Sequence, residues 1–124
     1  MADNNFYLEL KQDSDLNLPL QWFLSDGVTP DPFTTPIRVE CEIKSDITSA
    51  TPLLRLDSLV AGDITVTAAT GSIILHFKVA DMLTLDFDSG YMDIVVTEAY
   101  GVTPAVTRDL RGTVHLIKKV TTRG

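Results

Sequence analysis

YMDIVVTEAYGVTPAVTRDLRGTVHLIKKVTTRG, residues 91–124, reads as one long β-hairpin that finishes the domain and runs off its edge. From Tyr91 to Glu98 the residues alternate, with Met92, Ile94 and Val96 on one face and Tyr91, Asp93 and Thr97 on the other. From Arg108 to Lys119 the pattern repeats, with Leu110, Val114 and Leu116 inward and Arg111, Thr113 and His115 outward. A period of two is the signature of a half-buried strand, and AYGVTPAVT between the runs carries the Gly and Pro that a reversal needs.

The same alternation recurs towards the N-terminus. Asn5–Lys11 sets Phe6, Leu8 and Leu10 against Tyr7, Glu9 and Lys11, and LPLQWFL (18–24) gives a second strand after the polar turn QDSDLN. Pro19 suits the start of a strand or a sheet edge, where no ladder hydrogen bond is lost. Residues 25–36 hold three prolines in twelve positions, which predicts a stiff, exposed loop. IRVECEIK (37–44) alternates strictly, and shorter strands follow over 52–57, 63–67 and 72–79, with turns at Gly62 and Gly71. Only residues 80–86 suggest helix, as a single turn capped by Asp81 and holding Met82, Leu83 and Leu85. About eight short strands, one helical turn near 81–85 and regular turn signals predict a single all-β domain over residues 1–124, an antiparallel sandwich or barrel. Nothing between the strands is long enough for the crossover helices of a parallel sheet.

Composition bounds the function. With 44% hydrophobic and 22% charged residues the chain has the balance of a globular protein, and no apolar run approaches the ~20 residues of a membrane span. MADNNFYLELKQ has neither the basic start nor the apolar core of a secretory signal, which predicts a protein made and kept in a cytoplasm. Cys41 is the sole cysteine and lies in phase with Val39 and Ile43, so it reads as a small core residue. The net charge of −7 argues against nucleic acid as the main partner. The charge is also divided: residues 1–107 carry a balance of −11 and residues 108–124 a balance of +4. That split is either scattered charge on a solvated strand or a basic end that meets an acidic face of a neighbour.

The chemistry-bearing residues form no catalytic or metal-binding frame. His76 and His115 fall on the outward phase of their strands without a second ligand at metal spacing. Asp86, Asp88 and Gly90 open like a calcium loop, but Tyr91 and Thr97 stand where such a loop needs Gly and Glu. No nucleophile elbow, zinc motif or phosphate loop is present. The expectation is a non-enzyme without a metal or cofactor. Trp22 and Phe23 are adjacent in a strand, so one faces the core and the other does not. Phe33 and Tyr100 sit on loops, where aromatics stack on sugars or anchor protein contacts.

The order of these features resembles small baseplate and tail-tip proteins of tailed bacteriophages that are built on an immunoglobulin-like sandwich. The similarity runs through FYLELKQ, WFLSDG, IRVECEIK and GDITVTAATGSIILHFKVADMLTLDF, and it is most specific at the final hairpin. There the matching positions are Tyr91, Asp93, Gly101, Arg108, Leu110, Gly112, Val120 and Thr121. The resemblance implies a virion protein of a phage tail, assembled in the host cytoplasm, that forms rings of several copies and links other tail proteins. On that reading the interface candidates are Phe33, Tyr100, Arg108, Arg111, Lys118, Lys119 and Arg123, with residues 118–124 extending past the sandwich. The alternatives are a carbohydrate- or ligand-binding sandwich using Trp22, Phe33 or Tyr100 as its platform, and a head–tail joint or collar component.

Overall fold

The computed structural model describes residues 5–46, 51–102 and 105–118. Strands β1 (Asn5–Lys11), β2 (Leu16–Gln21), β3 (Ile37–Lys44), β4 (Leu54–Asp57), β5 (Ile64–Thr67), β6 (Ser72–Phe77), β7 (Ser89–Glu98) and β8 (Val106–Ile117) form two sheets. One has the order β1-β8-β7-β3-β4 and the other β2-β6-β5. This is the strand order of a variable-type immunoglobulin sandwich, with the G-F-C-C′ strands in one layer and B-E-D in the other. With one cysteine, on β3, the disulfide that joins the layers in antibody domains has no counterpart.

The alternating residues assemble the core as the sequence predicts. Val39, Cys41 and Ile43 of β3 and Met92, Ile94 and Val96 of β7 are buried, as are Ile73, Leu75 and Phe77 of β6 in the opposite layer. Full burial of a side chain of this size stabilises the fold by roughly 1.5–3 kcal/mol. The Cys41 thiol is 1% exposed, and burial pushes its pKa well up, so it is an inert core group.

Four details differ from the sequence reading. The sandwich is not antiparallel throughout: β1 pairs in parallel with β8 over the whole length of β1, from Asn5 beside Arg111 to Lys11 beside Ile117. Alternation fixes which face a strand buries but not which neighbour it takes. Gly112 permits the approach, since a Cβ there would lie 2.6 Å from the Phe6 ring. Secondly, β2 ends at Gln21 and not at Leu24, because the chain turns away into a loop in which Phe23 makes only an isolated bridge to Pro30. Thirdly, β8 begins at Val106, two residues before Arg108.

Finally, the helical turn α1 (Val79–Met82) starts earlier than predicted and Asp81 does not cap it. The cap comes from the 12–15 turn instead, where Asp15 Oδ1 accepts a hydrogen bond from the Val79 N–H at 2.8 Å. Met82 of α1, with Leu85 and Phe87 after it, is buried and belongs to the core. No helix among the described residues is long and apolar enough to cross a membrane.

Candidate functional site

Register places four strand ends at one end of the sandwich. β2 leaves that end at Gln21 and β3 enters from it at Ile37, while Glu98 of β7 pairs with Ile37 and Val106 of β8 pairs with Glu98. The 22–36 loop and the segment that begins at residues 99–102 therefore rise side by side from the same end, the end that carries the binding loops in variable domains.

The first loop is built as a small hairpin. Leu24 N–H donates to the Thr29 carbonyl and Asp31 N–H to the Trp22 carbonyl, at 2.8 and 3.0 Å. At its tip Asp26 Oδ1 accepts from the backbone N–H groups of Val28 and Thr29, both at 2.8 Å. Those bonds hold the Asp26 carboxyl below its ordinary pKa, the Thr29 hydroxyl being the largest cause. The base of the loop is tied to the β5–β6 turn, where Trp22 N–H donates to Gly71 O and Phe33 N–H to Ala68 O, each at 2.9 Å. Phe33 is 5% exposed and its ring meets that of Trp22 edge-on, centroids 5.6 Å apart. Phe33 is thus corrected from a surface candidate to a core residue: an aromatic in a loop that folds back over the sandwich end is covered by it. Of the adjacent pair, Trp22 packs on the core and Phe23 is half exposed.

Two arginines lock this end. Arg108 Nε donates to Glu98 Oε2 at 2.8 Å and its Nη1 to Asp31 Oδ2 at 2.5 Å, with the guanidinium carbon 5.4 Å from the centre of the Phe33 ring. Glu98 is 5% exposed and its Oε1 also accepts from Thr34 N–H at 2.7 Å. The Arg108 hydrogen bond is the main reason the Glu98 carboxyl lies below its ordinary pKa, against the opposing effect of burial. Arg38 is the second lock. It donates to Asp57 Oδ2 at 2.6 Å and to the Tyr100 hydroxyl at 3.2 Å, and lies 5.4 Å from the Tyr100 ring centre. Arg38 likewise holds the Asp57 carboxyl below its ordinary range. Residues 99–102 join the same framework through Ala99 N–H to Thr34 O and Tyr100 N–H to Pro36 O. On this fixed base Phe23, Leu24 and Val28 of one loop, and Val102 and Val106 on or beside the other, are left exposed.

The structure separates the remaining interface candidates. Tyr100 and Arg108 lie at the loop end, Arg111 at the middle of the five-stranded sheet, and Lys118 at the far end of β8, about 33 Å from Arg108 at ~3.3 Å per residue. Arg111 pairs with Asp93 at 3.5 Å, and Lys118 holds Asp86 and Asp88 at 3.2 and 3.3 Å. The positive charges of β8 and of Lys118 are therefore matched by acids of their own chain. Lys119 and Arg123 lie outside the described residues, as does most of the 118–124 extension.

The outer face of the five-stranded sheet is a charge ladder. One register row runs Arg111, Asp93, Glu42, Arg55 across β8, β7, β3 and β4. Over it opens a cleft of about 500 Å³ lined by Glu42, Lys44, Tyr91, Asp93 and Arg111 among others. Asp93 Oδ1 is enclosed there without a hydrogen bond, facing Arg111 Nε. The adjacent carboxylates Asp93 and Glu42 are each flanked by an arginine, so they stand as ion-pair partners.

Sequence reasoning missed the loop-end apolar group and the Arg38–Asp57–Tyr100 lock. The signal for the first was present in WFLSDGVT, where a run of aromatic and aliphatic residues meets an Asp-Gly turn. The lock joins residues 19 and 62 positions apart, which no local pattern announces.

No family model and no curated protein matches this chain. Among solved structures, the extracellular domain of the voltage-gated sodium channel beta4 subunit, described as a parallel homodimer with a role in cell–cell adhesion, is similar at a TM-score of 0.43 and 12% identity, over 98% of this chain and 92% of that one.

Proposed function

We propose that this chain is a non-catalytic structural protein of a bacteriophage tail, in the baseplate, tail tip or a fibre adaptor, that works through protein contacts and self-association. The observation that carries the contact role is the loop end. Phe23, Leu24 and Val28 stand exposed on a hairpin fixed at its base by Gly71, Ala68 and Arg108. Exposed apolar side chains on a pre-ordered support are what a protein interface asks for, because little conformational freedom remains to be lost on docking. The partner would be another tail protein, and the particle would assemble in the host cytoplasm. The resemblance of the final hairpin to baseplate and tail-tip proteins supplies the phage assignment. The carbohydrate platform has lost two of its three aromatics, since Trp22 and Phe33 pack on each other and the core.

Particles purified from a lysate of a strain carrying the gene should contain the chain by mass spectrometry, and immunogold labelling should mark the tail. Absence of the chain from pure particles would overturn the virion assignment. A glycan-array signal abolished by Tyr100→Ala would overturn the contact role in favour of sugar binding.

A further inference from the structure

We propose that the outer face of the three-stranded sheet is the surface on which a second copy of this chain docks, sheet against sheet about a two-fold axis. The proposal rests on the self-association in the functional reading and is independent of the virion.

Charge distribution is the first ground. No residue of β2, β5 or β6 is Asp, Glu, Lys or Arg, whereas each of the five strands in the other sheet carries at least two. In a chain of net charge −7 that is a marked depletion, and depletion of charge is the compositional mark of an interface centre. Two identical molecules of like charge repel wherever acidic surfaces meet. This face lets them approach without setting like charges opposite one another.

Its chemistry is the second ground. β2 turns Asn17, Pro19 and Gln21 outward, and β5 adds Thr65 and Thr67. The central strand, β6, contributes Ser72, Ile74 and His76. Hydroxyls and amides both donate and accept hydrogen bonds, so a face made of them can bond to its own copy; a carboxylate only accepts and an ammonium only donates. The side chains are also held in place. The His76 ring bridges Asn17 Oδ1 and Thr65 Oγ1 at 2.7 and 2.8 Å, and Ser72 meets Thr70 at 2.9 Å. Gln21 is bonded to the carbonyls of Trp22 and Thr70. The charges that bound the face at its lower border are occupied: Lys78 pairs with Asp63 at 3.3 Å, and Asp15 caps α1. The site has Ile74 at its centre and few mobile groups to order.

A face of three short strands covers roughly 500 Å² per partner, below the ~800 Å² of a standard interface, so the dimer should be a reversible one in equilibrium with its monomer. Sedimentation velocity from about 1 µM to about 1 mM should show a monomer–dimer equilibrium in that range. Ile74→Lys and Thr67→Glu should each raise the dissociation constant at least tenfold, roughly, and Arg111→Glu on the opposite sheet should leave it unchanged. Melting curves of the variants separate loss of docking from loss of fold. Cys41 is buried, so Ile74→Cys supplies the sole accessible thiol, and under mild oxidation it should form a disulfide-linked dimer that a Thr113→Cys control does not. A monomer at every concentration overturns the proposal, as does a dimer indifferent to both charge insertions. Either result leaves the virion assignment, read from purified particles, standing.

Discussion

Arg108→Met tests whether the loop end is locked as described. The substitution keeps the aliphatic stem near Phe33 but removes the hydrogen bonds to Glu98 and Asp31. Glu98, at 5% exposure, then retains only the Thr34 N–H as a partner for a buried negative charge. Breaking a buried pair by removing one member costs about 3–5 kcal/mol. Arg108 is a quarter exposed, and water can reach the vacated side, so the expected loss is about 2–4 kcal/mol. In a chain of this size that lowers the melting temperature by roughly 6–20 °C. Urea unfolding followed by circular dichroism measures it directly. The double variant Arg108→Met/Glu98→Gln, which removes the stranded charge, should recover about 1 kcal/mol or more relative to the single variant. An Arg108→Met protein within about 0.5 kcal/mol of the parent would refute the lock, because that is the range of an ordinary surface substitution.

Further outcomes follow from the same geometry. Glu98 and Asp57 both have carboxyls held below their ordinary range by an arginine, so their contribution is present above the unfolded values near 4 and is lost as pH falls through the folded ones. Stability should therefore be level from neutral pH to about 5 and fall steeply below about 4, with the penalty of Arg108→Met shrinking over the same acid range. Gly112→Val should cost about 2 kcal/mol or more, and should loosen β1 first in hydrogen exchange, since the added side chain meets the Phe6 backbone and ring. Arg111→Ala should cost about 0.5–1 kcal/mol, the upper range for a pair between largely exposed side chains, because Asp93 Oδ1 is enclosed and faces that guanidinium at 3.5 Å.

What the sequence could reveal followed from the range of its signals. Strict alternation in IRVECEIK and YMDIVVTE set which side chains enter the core, and the structure buries those residues. Strand ends and neighbours were less legible. LPLQWFL keeps an apolar pattern past Gln21, yet the chain leaves the sheet there because the backbone of Trp22 and Leu24 bonds Asp31 and Thr29 of its own loop. The parallel β1–β8 pair depends on the space that Gly112 leaves, a contact between residues over a hundred positions apart. The basic C-terminal strand was visible as a charge count, but its pairing with Asp31, Glu98 and Asp93 was not. Phe33 shows the same limit, because a loop aromatic is exposed or covered according to the path of the loop.

On the proposed function the loop end, and not the charge ladder of the five-stranded sheet, meets the partner in the assembled particle. Hydrogen–deuterium exchange compared between the isolated chain and the chain in purified particles tests it most directly. Protection should rise at residues 22–31 and 99–102, with little change over β3 and β4. Unchanged exchange in both loops, with protection over the outer strands of the five-stranded sheet, would contradict it.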